Sequence, residues 1–469
     1  MVDDQRTWRG IDLLAAAFMI ADAIEARSKS RTVAFMLPTS GGAAAVALAG
    51  WILGRVVVPL NFLLKRDELE YVIADCQTDL IVTAQGMLDF MGYTPAGAKI
   101  FRLDDLERSV PTPRWPALNL DEDLAVLLYT SGTSGRPKGV MLSHGNLSSD
   151  VRMCVDFVGF GPSEVIVGVL PQFHSFGLTA LTLMPLTVGC KVVFTARFMP
   201  HRIVKLMREH GATAFIAIPS MYNALLHVKD AEPADFATLR FAVSGGEPLP
   251  DAVSRGFKER FGVTIAEGYG LTETSPVTNW CRPQDYKPHS VGKALPGVKQ
   301  RIVSIETGQD LGPNQDGEVR IAGPNLMMGY FNKPAETAAA IDERGYLRTG
   351  DIGRIDNDGH LFITGRLKEM LIVGGENVFP REIEEVLNAH PSVKESGVVG
   401  RQDPVRGELP VAFVELKEGA AFDEASIRTF CRQRLAGYKV PTEIRPLDAL
   451  PRNPTGKVMR RELKKLLAT

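Results

Sequence analysis

A chain of 469 residues is too long for one ordinary hydrophobic core and predicts two or more domains. Hydrophobic residues make up 45% and charged residues 23%, the range of a soluble globular protein, and 53 Lys and Arg nearly balance 55 Asp and Glu. That balance excludes a global field able to recruit nucleic acid or an anionic membrane, so any polyanionic ligand must be met by local clusters. Five scattered cysteines without a CxxC pair indicate neither a zinc site nor a disulfide framework, and favour a reducing, cytoplasmic location.

The N-terminus, MVDDQRTWRG, is polar and acidic, unlike a signal peptide. Residues 37–54, LPTSGGAAAVALAGWILG, lack charge over about the length of a bilayer span. The stretch is rich in Ala and Gly, opens on Pro-Thr-Ser-Gly and runs into Arg55 and Pro59, so it predicts a strand end plus a buried helix rather than a transmembrane segment. Apolar runs at 31–38 (RTVAFMLP), 56–61 (VVVPLN), 79–84 (DLIVTA) and 124–130 (LAVLLYT) predict strands, separated by amphipathic stretches such as KRDELEYVIADC. VIVGVLP, KVVFTA, TAFIAIP and RFAVSGG continue the rhythm, with HRIVKLMREHG a helix between two of them. Strands alternating with helices predict an α/β fold of βαβ units with parallel sheets. Loops rich in Ser, Gly and Pro follow several strands at their C-terminal ends, where open α/β sheets bind ligands.

After about Lys287 the texture changes to short strands with Gly-Pro and Asp-Gly turns, which predicts a β subdomain over about 288–366. A compact α+β tail follows, with helices at REIEEVLNAH and EASIRTFCRQRLA, a strand at ELPVAFVEL and a charged final helix. The expected division is a large N-terminal domain, 1–366, and a small C-terminal domain, 367–469.

The stretch YTSGTSGRPKG, 129–139, carries four Ser or Thr hydroxyls, three glycines and Lys138. Almost nothing in it is apolar, so it builds no core, whereas converging backbone N–H groups and hydroxyls can wrap a polyanion. It is not a Walker loop, because Pro137 precedes Lys138 and Gly139 follows it. Taken by itself it is a phosphate loop of another kind or a flexible surface loop.

Its companions carry a resemblance. SGGEPLP (244–250), GYGLTETS (268–275), YLRTGDIG (346–353), GRLKEMLIVGGENVFPREIE (365–384) and PRNPTGKVMRREL (451–463) follow in order over nearly the whole chain. Together with the loop they resemble the adenylate-forming superfamily of acyl-CoA synthetases, adenylation domains and beetle luciferases. The resemblance implies a large N-terminal AMP-binding domain and a rotating C-terminal domain. It also implies ATP and CoA as cosubstrates, Mg²⁺ as cofactor, and a two-step activity: a carboxylic acid becomes acyl-AMP with loss of pyrophosphate, then passes to a thiol.

Residue by residue, the resemblance assigns Thr130, Ser131, Gly132, Thr133, Ser134, Gly135 and Lys138 to the β- and γ-phosphates. Tyr269 would stack on adenine beside Gly270, Thr272 would meet the phosphates, and Glu273 would hold Mg²⁺, which prefers hard carboxylate oxygen. Gly246, Glu247 and Pro248 would line the adenine pocket. Asp351 would accept the ribose hydroxyls, its two oxygens suiting a vicinal diol, and Arg366 would reach ribose or phosphate. Lys368 matches the hinge and Lys457 the lysine that bridges α-phosphate and substrate carboxylate. His174 matches an aromatic gate opened by CoA, Gly375 would line the pantetheine tunnel, and Lys439 would meet the CoA phosphates. By residue type alone these are also turn residues, solvated charges and a core histidine.

Residues 170–186, LPQFHSFGLTALTLMPL, contain no acid to hold a substrate ammonium, which argues against an amino-acid substrate. Phe173, Phe176, Gly177, Leu178, Met221, Tyr222 and Trp280 are the expected pocket wall. The chain looks most like medium- and long-chain fatty acyl-CoA synthetases, with 4-coumarate-type ligases as the alternative. An acyl-carrier protein in place of CoA is less favoured, since no insertion lies between Gly365 and Arg381. A degenerate module that binds nucleotide without turnover is disfavoured by the presence of Glu273 and Lys457. Luciferase-like oxidation shares every motif. Peripheral membrane contact and oligomerisation stay open. The chain departs from the family pattern in a short stretch ahead of TWRGIDLLAAAFMIADAI and a shortened passage between IVTA and the phosphate loop.

Overall fold

The computed structural model describes residues 1–107, 110–130, 136–452 and 458–467. Two seven-stranded sheets form its larger part. In the first, Thr32–Phe35 lies parallel between Val56–Pro59 and Leu80–Thr83, and Lys99–Arg102 continues the parallel run. The antiparallel hairpin of Leu124–Thr130 and Lys138–Ser143 extends the other side, and its turn carries the phosphate-loop sequence. The second sheet orders Lys191–Phe194, Val165–Gly168, Ala214–Ala217, Phe241–Ser244 and Ala266–Gly270 as parallel neighbours. Val277–Trp280 then returns antiparallel. The predicted strands are found because each is a short apolar run buried on both faces, the pattern of parallel strands under helices.

The uncharged stretch folds as predicted. Its helix, Gly41–Ile52, begins at Ser40, whose Oγ accepts from the Ala43 N–H at 3.3 Å. It is buried nearly all round, and a Cβ at Gly50 would lie 2.6 Å from Val57, so the glycine lets the helix close onto the strand beneath. Among the described residues no helix is long and apolar enough to cross a membrane.

A four-stranded antiparallel sheet follows, ordered Lys299–Val303, Gly317–Ala322, Leu347–Ile355 and Leu361–Arg366. Two short strands of the same stretch pair elsewhere. Lys293–Ala294 joins Asn279–Trp280 at the edge of the second sheet, and Gly329–Tyr330 joins Val140 and Met141 in the first. A 3₁₀ turn, Leu367–Glu369, leads from Arg366 into the C-terminal sheet, where the long hairpin Val393–Asp403 and Gly407–Leu416 is flanked by Leu371–Val373 and Glu443–Leu447.

The C-terminal part is docked on the larger one. Phe379 fills the space beside Gly365, where a Cβ would meet its ring at 2.5 Å, and Arg381 donates to the Ile363 carbonyl at 2.5 Å. The final helix is tied in by Arg460, which pairs with Glu369 at 2.9 Å and Glu384 at 2.6 Å.

Glu267 is buried where this docking meets the second sheet. Burial raises its carboxyl to about 7, opposed in part by Arg381. Between its ordinary value and about 7, the folded protein holds a proton that the unfolded chain has released. Stability therefore falls as pH rises through that window. Glu267→Gln should flatten the fall, with an advantage over wild type that grows to as much as about 3 kcal/mol by roughly pH 8. Denaturant unfolding of both proteins between about pH 5 and 8 checks this.

Candidate active site

The C-terminal ends of the second sheet converge on one cleft. Phe241–Ser244 runs into the loop from Gly245 to Pro250, where Gly246 adopts φ +82°, a conformation that only glycine holds without strain. Beside it, Ala266–Gly270 leads through a 3₁₀ turn, Thr272–Thr274, and back along Val277–Trp280. A Cβ on Gly270 would lie 1.8 Å from the Pro276 carbonyl, so the turn closes only because that residue has no side chain. Asn325 clamps the turn through Nδ2 bonds of 2.8 Å to the Thr274 and Val277 carbonyls. The Ser275 hydroxyl donates to the Asn325 carbonyl, and the Met327 N–H to the Glu273 carbonyl, each at 2.8 Å. Thr272 and Glu273 are thereby held at the cleft.

Three of the expected residues form one cluster. Tyr269 donates its hydroxyl to Asp351 Oδ2 at 2.6 Å, and Arg366 Nε meets Asp351 Oδ1 at 2.9 Å. Asp351 and Arg366 are cross-strand partners, so the pairing register itself brings the charges together. The Asp351 carboxylate is almost wholly buried, and its charge with burial pushes the Tyr269 phenol up, burial being the larger cause. Each oxygen keeps a further lone pair for an incoming hydroxyl.

A second group faces it. Glu273 Oε1 accepts from the Tyr330 hydroxyl at 2.8 Å, and Lys138 Nζ lies 5.1 Å from the Tyr330 ring centroid. Thr130 and Lys138 are paired across the hairpin stem, so the base of the phosphate loop adjoins Glu273. The Thr272 hydroxyl is 3.3 Å from that of Ser175. A carboxylate that accepts from a hydroxyl offers hard oxygen donors, which fit Mg²⁺.

His174 stands at the mouth of a recess that Tyr269, Thr272 and Ser175 help line, its Nδ1 accepting from the Phe176 N–H at 3.3 Å. Its ring reaches solvent, yet the surrounding protein disfavours the imidazolium and lowers its pKa. The recess encloses about 630 Å³ of empty space, the open solvent at its mouth included. Beyond Tyr269 and Thr272 its wall includes Phe176, Ala180, Met184, Ile216, Val243 and Trp280, and among the described residues it holds no Lys, Arg, Asp or Glu.

Other expected residues are placed apart from the recess. Lys368 is exposed in the 3₁₀ turn, and Gly375, at φ +89°, lies in the exposed tip of the hairpin Leu371–Val373 and Glu376–Val378. Lys439 is paired with Glu382 at 2.7 Å. Glu247 and Pro248 follow Gly246 in its loop, and the Glu247 charge contributes to raising the Arg452 pKa, after the dominant hydrogen bond that Arg452 donates to Glu395. The C-terminal tail therefore approaches the adenine-motif loop. Ser131, Gly132, Thr133, Ser134, Gly135 and Lys457 lie outside the described residues.

The pocket wall needs correction. Phe173 packs edge-on against Phe62 with ring centroids 4.9 Å apart, and Leu178 is buried in the first-sheet core. Tyr222 is fully buried with its hydroxyl on the Phe215 carbonyl at 2.7 Å, and Met221 packs on the same separate core. Gly177 is pressed against the Pro171 carbonyl. Only Phe176 and Trp280 of the expected set line the recess, and Thr179, Ala180, Met184, Ile216 and Val243 replace the rest. Apolar residues near a motif look alike whether they face a ligand or a neighbouring helix. Tyr330, Ser175 and Asn325 were not anticipated either, since each reaches the site by a long-range contact with no local signature.

The family described as AMP-binding enzyme matches residues 1–331, and its C-terminal domain matches residues 382–457. The chain is 34% identical to a long-chain-fatty-acid–CoA ligase of Bacillus subtilis (strain 168), over 96% of this chain and 88% of that protein. It is 36% identical to 4-coumarate–CoA ligase 1 of Oryza sativa subsp. japonica, over 88% of this chain and 78% of that one. The crystal structure of ATP-bound MatB from Rhodopseudomonas palustris superimposes with a TM-score of 0.91 at 32% identity, covering 99% of this chain and 94% of that one.

Asp351→Asn tests the first cluster. An amide can accept from only one of the two donors and turns its own N–H₂ toward the other, so Tyr269 or Arg366 is left facing a donor. The expected loss is about 1–3 kcal/mol of stability, read by denaturant unfolding, with Tyr269→Phe in the Asp351→Asn background costing less than the two single losses added.

Proposed function

The chain belongs to the AMP-binding enzyme family, and on that premise we propose that it is an acid–thiol ligase for an apolar carboxylic acid, a fatty acid, using ATP and CoA. The observation that carries this reading is the uncharged recess opening beside Tyr269 and Thr272. A carboxylate is a poor electrophile, and coupling it to a thiol needs a better leaving group than oxide. Attack of the carboxylate on the α-phosphorus of ATP expels pyrophosphate and gives the acyl adenylate. Attack of the CoA thiolate on its carbonyl carbon then expels AMP.

In this reading the stem residues Thr130 and Lys138, with the loop between them, hold the β- and γ-phosphates, and Thr272 donates to a phosphate oxygen. Tyr269 and the loop at Gly246, Glu247 and Pro248 hold the adenine, while Asp351 accepts the ribose hydroxyls on its unused lone pairs. Arg366, already beside Asp351, offers its remaining N–H groups to ribose or phosphate. Glu273 would hold Mg²⁺, which draws negative charge from the phosphate oxygens. Lys457 would lie between the α-phosphate and the substrate carboxylate, where a point cation offsets repulsion between two anions. His174, held neutral, adds no charge at the point where the acid enters. For the second step, rotation about Lys368 would bring the Gly375 hairpin to the site and free Lys439 to meet CoA phosphates.

ATP–pyrophosphate exchange across a panel of acids tests the substrate class. Hexanoate and octanoate should support exchange, and glycine, aspartate or another charged acid should not, because an unpaired charge in the apolar recess is costly. Exchange with coumarate or benzoate in preference to every aliphatic acid would replace the fatty-acid reading with the aryl one.

The two half-reactions should separate by mutation. Lys457→Ala should slow acyl-AMP formation by on the order of 10²–10³-fold and spare CoA attack on acyl-AMP supplied ready-made. Lys368→Pro fixes one backbone angle and should do the reverse, keeping exchange and losing thioester formation. Equal damage to both steps in Lys457→Ala would remove domain alternation from the account.

A further inference from the structure

The recess that would take the acid does not exhaust the space on its side of the second sheet. A second cavity of about 770 Å³, including its open mouth, lies on the same face nearer the N-terminal ends of the strands. Val243 and Trp280 border both. The strand register shows why. Gly268 is the cross-strand partner of Trp280, and Ala266 that of Val243. Gly268 and Ala266 are two residues apart on one strand, so all four share a face. Gly268 borders the recess, Ala266 the second cavity, and the indole stands at the line between them.

The same face carries Phe241, which lines the second cavity with Val158, Cys281 and Tyr286. Two cations also border it, Arg240, which is paired with Glu164 at 2.6 Å, and Lys258. Trp280 is 5% exposed, and it is packed among the core residues of this sheet. A chain growing from the nucleotide end along the sheet meets this side chain before it meets the second cavity.

We propose that Trp280 is the end wall of the acyl pocket and sets its chain-length limit, and that the cavity behind it is a closed-off extension able to hold a longer acyl chain. This rests on the acid-ligase reading above. Each methylene added before the wall gains burial and should raise kcat/KM about fourfold. The first methylene that strikes the indole requires displacement of a packed side chain, and the series should break there.

The test is the exchange assay over straight-chain acids from hexanoate to palmitate. Wild type should rise and then fall at least tenfold within about two carbons. Trp280→Gly should move the break several carbons longer, with palmitate gaining at least tenfold relative to hexanoate. Trp280→Leu, a milder loss of volume, should move it less. Ala266→Leu projects into the second cavity alone, so it should leave the wild-type series unchanged and cancel the gain when combined with Trp280→Gly. A wild-type series that climbs without a break to palmitate overturns the proposal and needs no variant to do so. An unchanged break in Trp280→Gly that still uses hexanoate overturns it as well. A wild type that uses no straight-chain acid but does use another acid refutes the fatty-acid reading instead, a result distinct from either.

Discussion

The buried carboxylate of Asp351 ties together three parts of the chain that sequence separates widely. Its strand belongs to the antiparallel sheet, its Tyr269 partner ends a strand of the second large sheet, and its Arg366 partner is the last strand residue before the turn into the C-terminal part. A carboxylate taken out of water must be compensated by charge and hydrogen bonds, or burial drives it to protonate. Here a guanidinium and a phenol provide that compensation, so the sheets cannot shift relative to one another without uncovering a buried charge. The cleft beside it inherits its shape from this constraint.

The acid end of the site is built on the opposite principle. Among the described residues nothing along the recess wall carries a formal charge, and the His174 ring at its mouth is pushed toward neutrality by the protein around it. A polar, donor-rich end and an apolar end therefore meet at Tyr269 and Thr272.

The C-terminal part is tied internally as firmly as it is tied to the sheet it touches. Arg460, within the tail motif, reaches both Glu369 at the end of the 3₁₀ turn and Glu384. Its pairs join the first and last segments of that part, so a motion about the turn would carry the tail as one body with the C-terminal sheet. Contacts across to the larger part include an aromatic ring against Gly365, one guanidinium on a carbonyl, the Glu267 neighbourhood and the approach of Arg452 to Glu247.

Sequence alone determined the elements whose signal is local. Short apolar strands, the buried helix after Ser40 and the glycine-rich turns were all legible, because a parallel strand or a tight turn imposes its demand on consecutive residues. Gly270 shows the mechanism, since no other residue fits against the Pro276 carbonyl. The motif order also carried the family, because phosphate and ribose recognition needs particular donors at particular strand ends. What only the tertiary structure decided is which side chains of similar character face the ligand. Tyr222 and Trp280 are both large aromatics in apolar surroundings, yet one is sealed behind the sheet with its hydroxyl satisfied and the other divides two cavities. Tyr330 likewise finds Glu273 only because a two-residue strand crosses back to the first sheet. The physical reason is the same in each case: burial is encoded by residue type, but the direction of burial is fixed by strand register and sheet packing, which no local stretch contains.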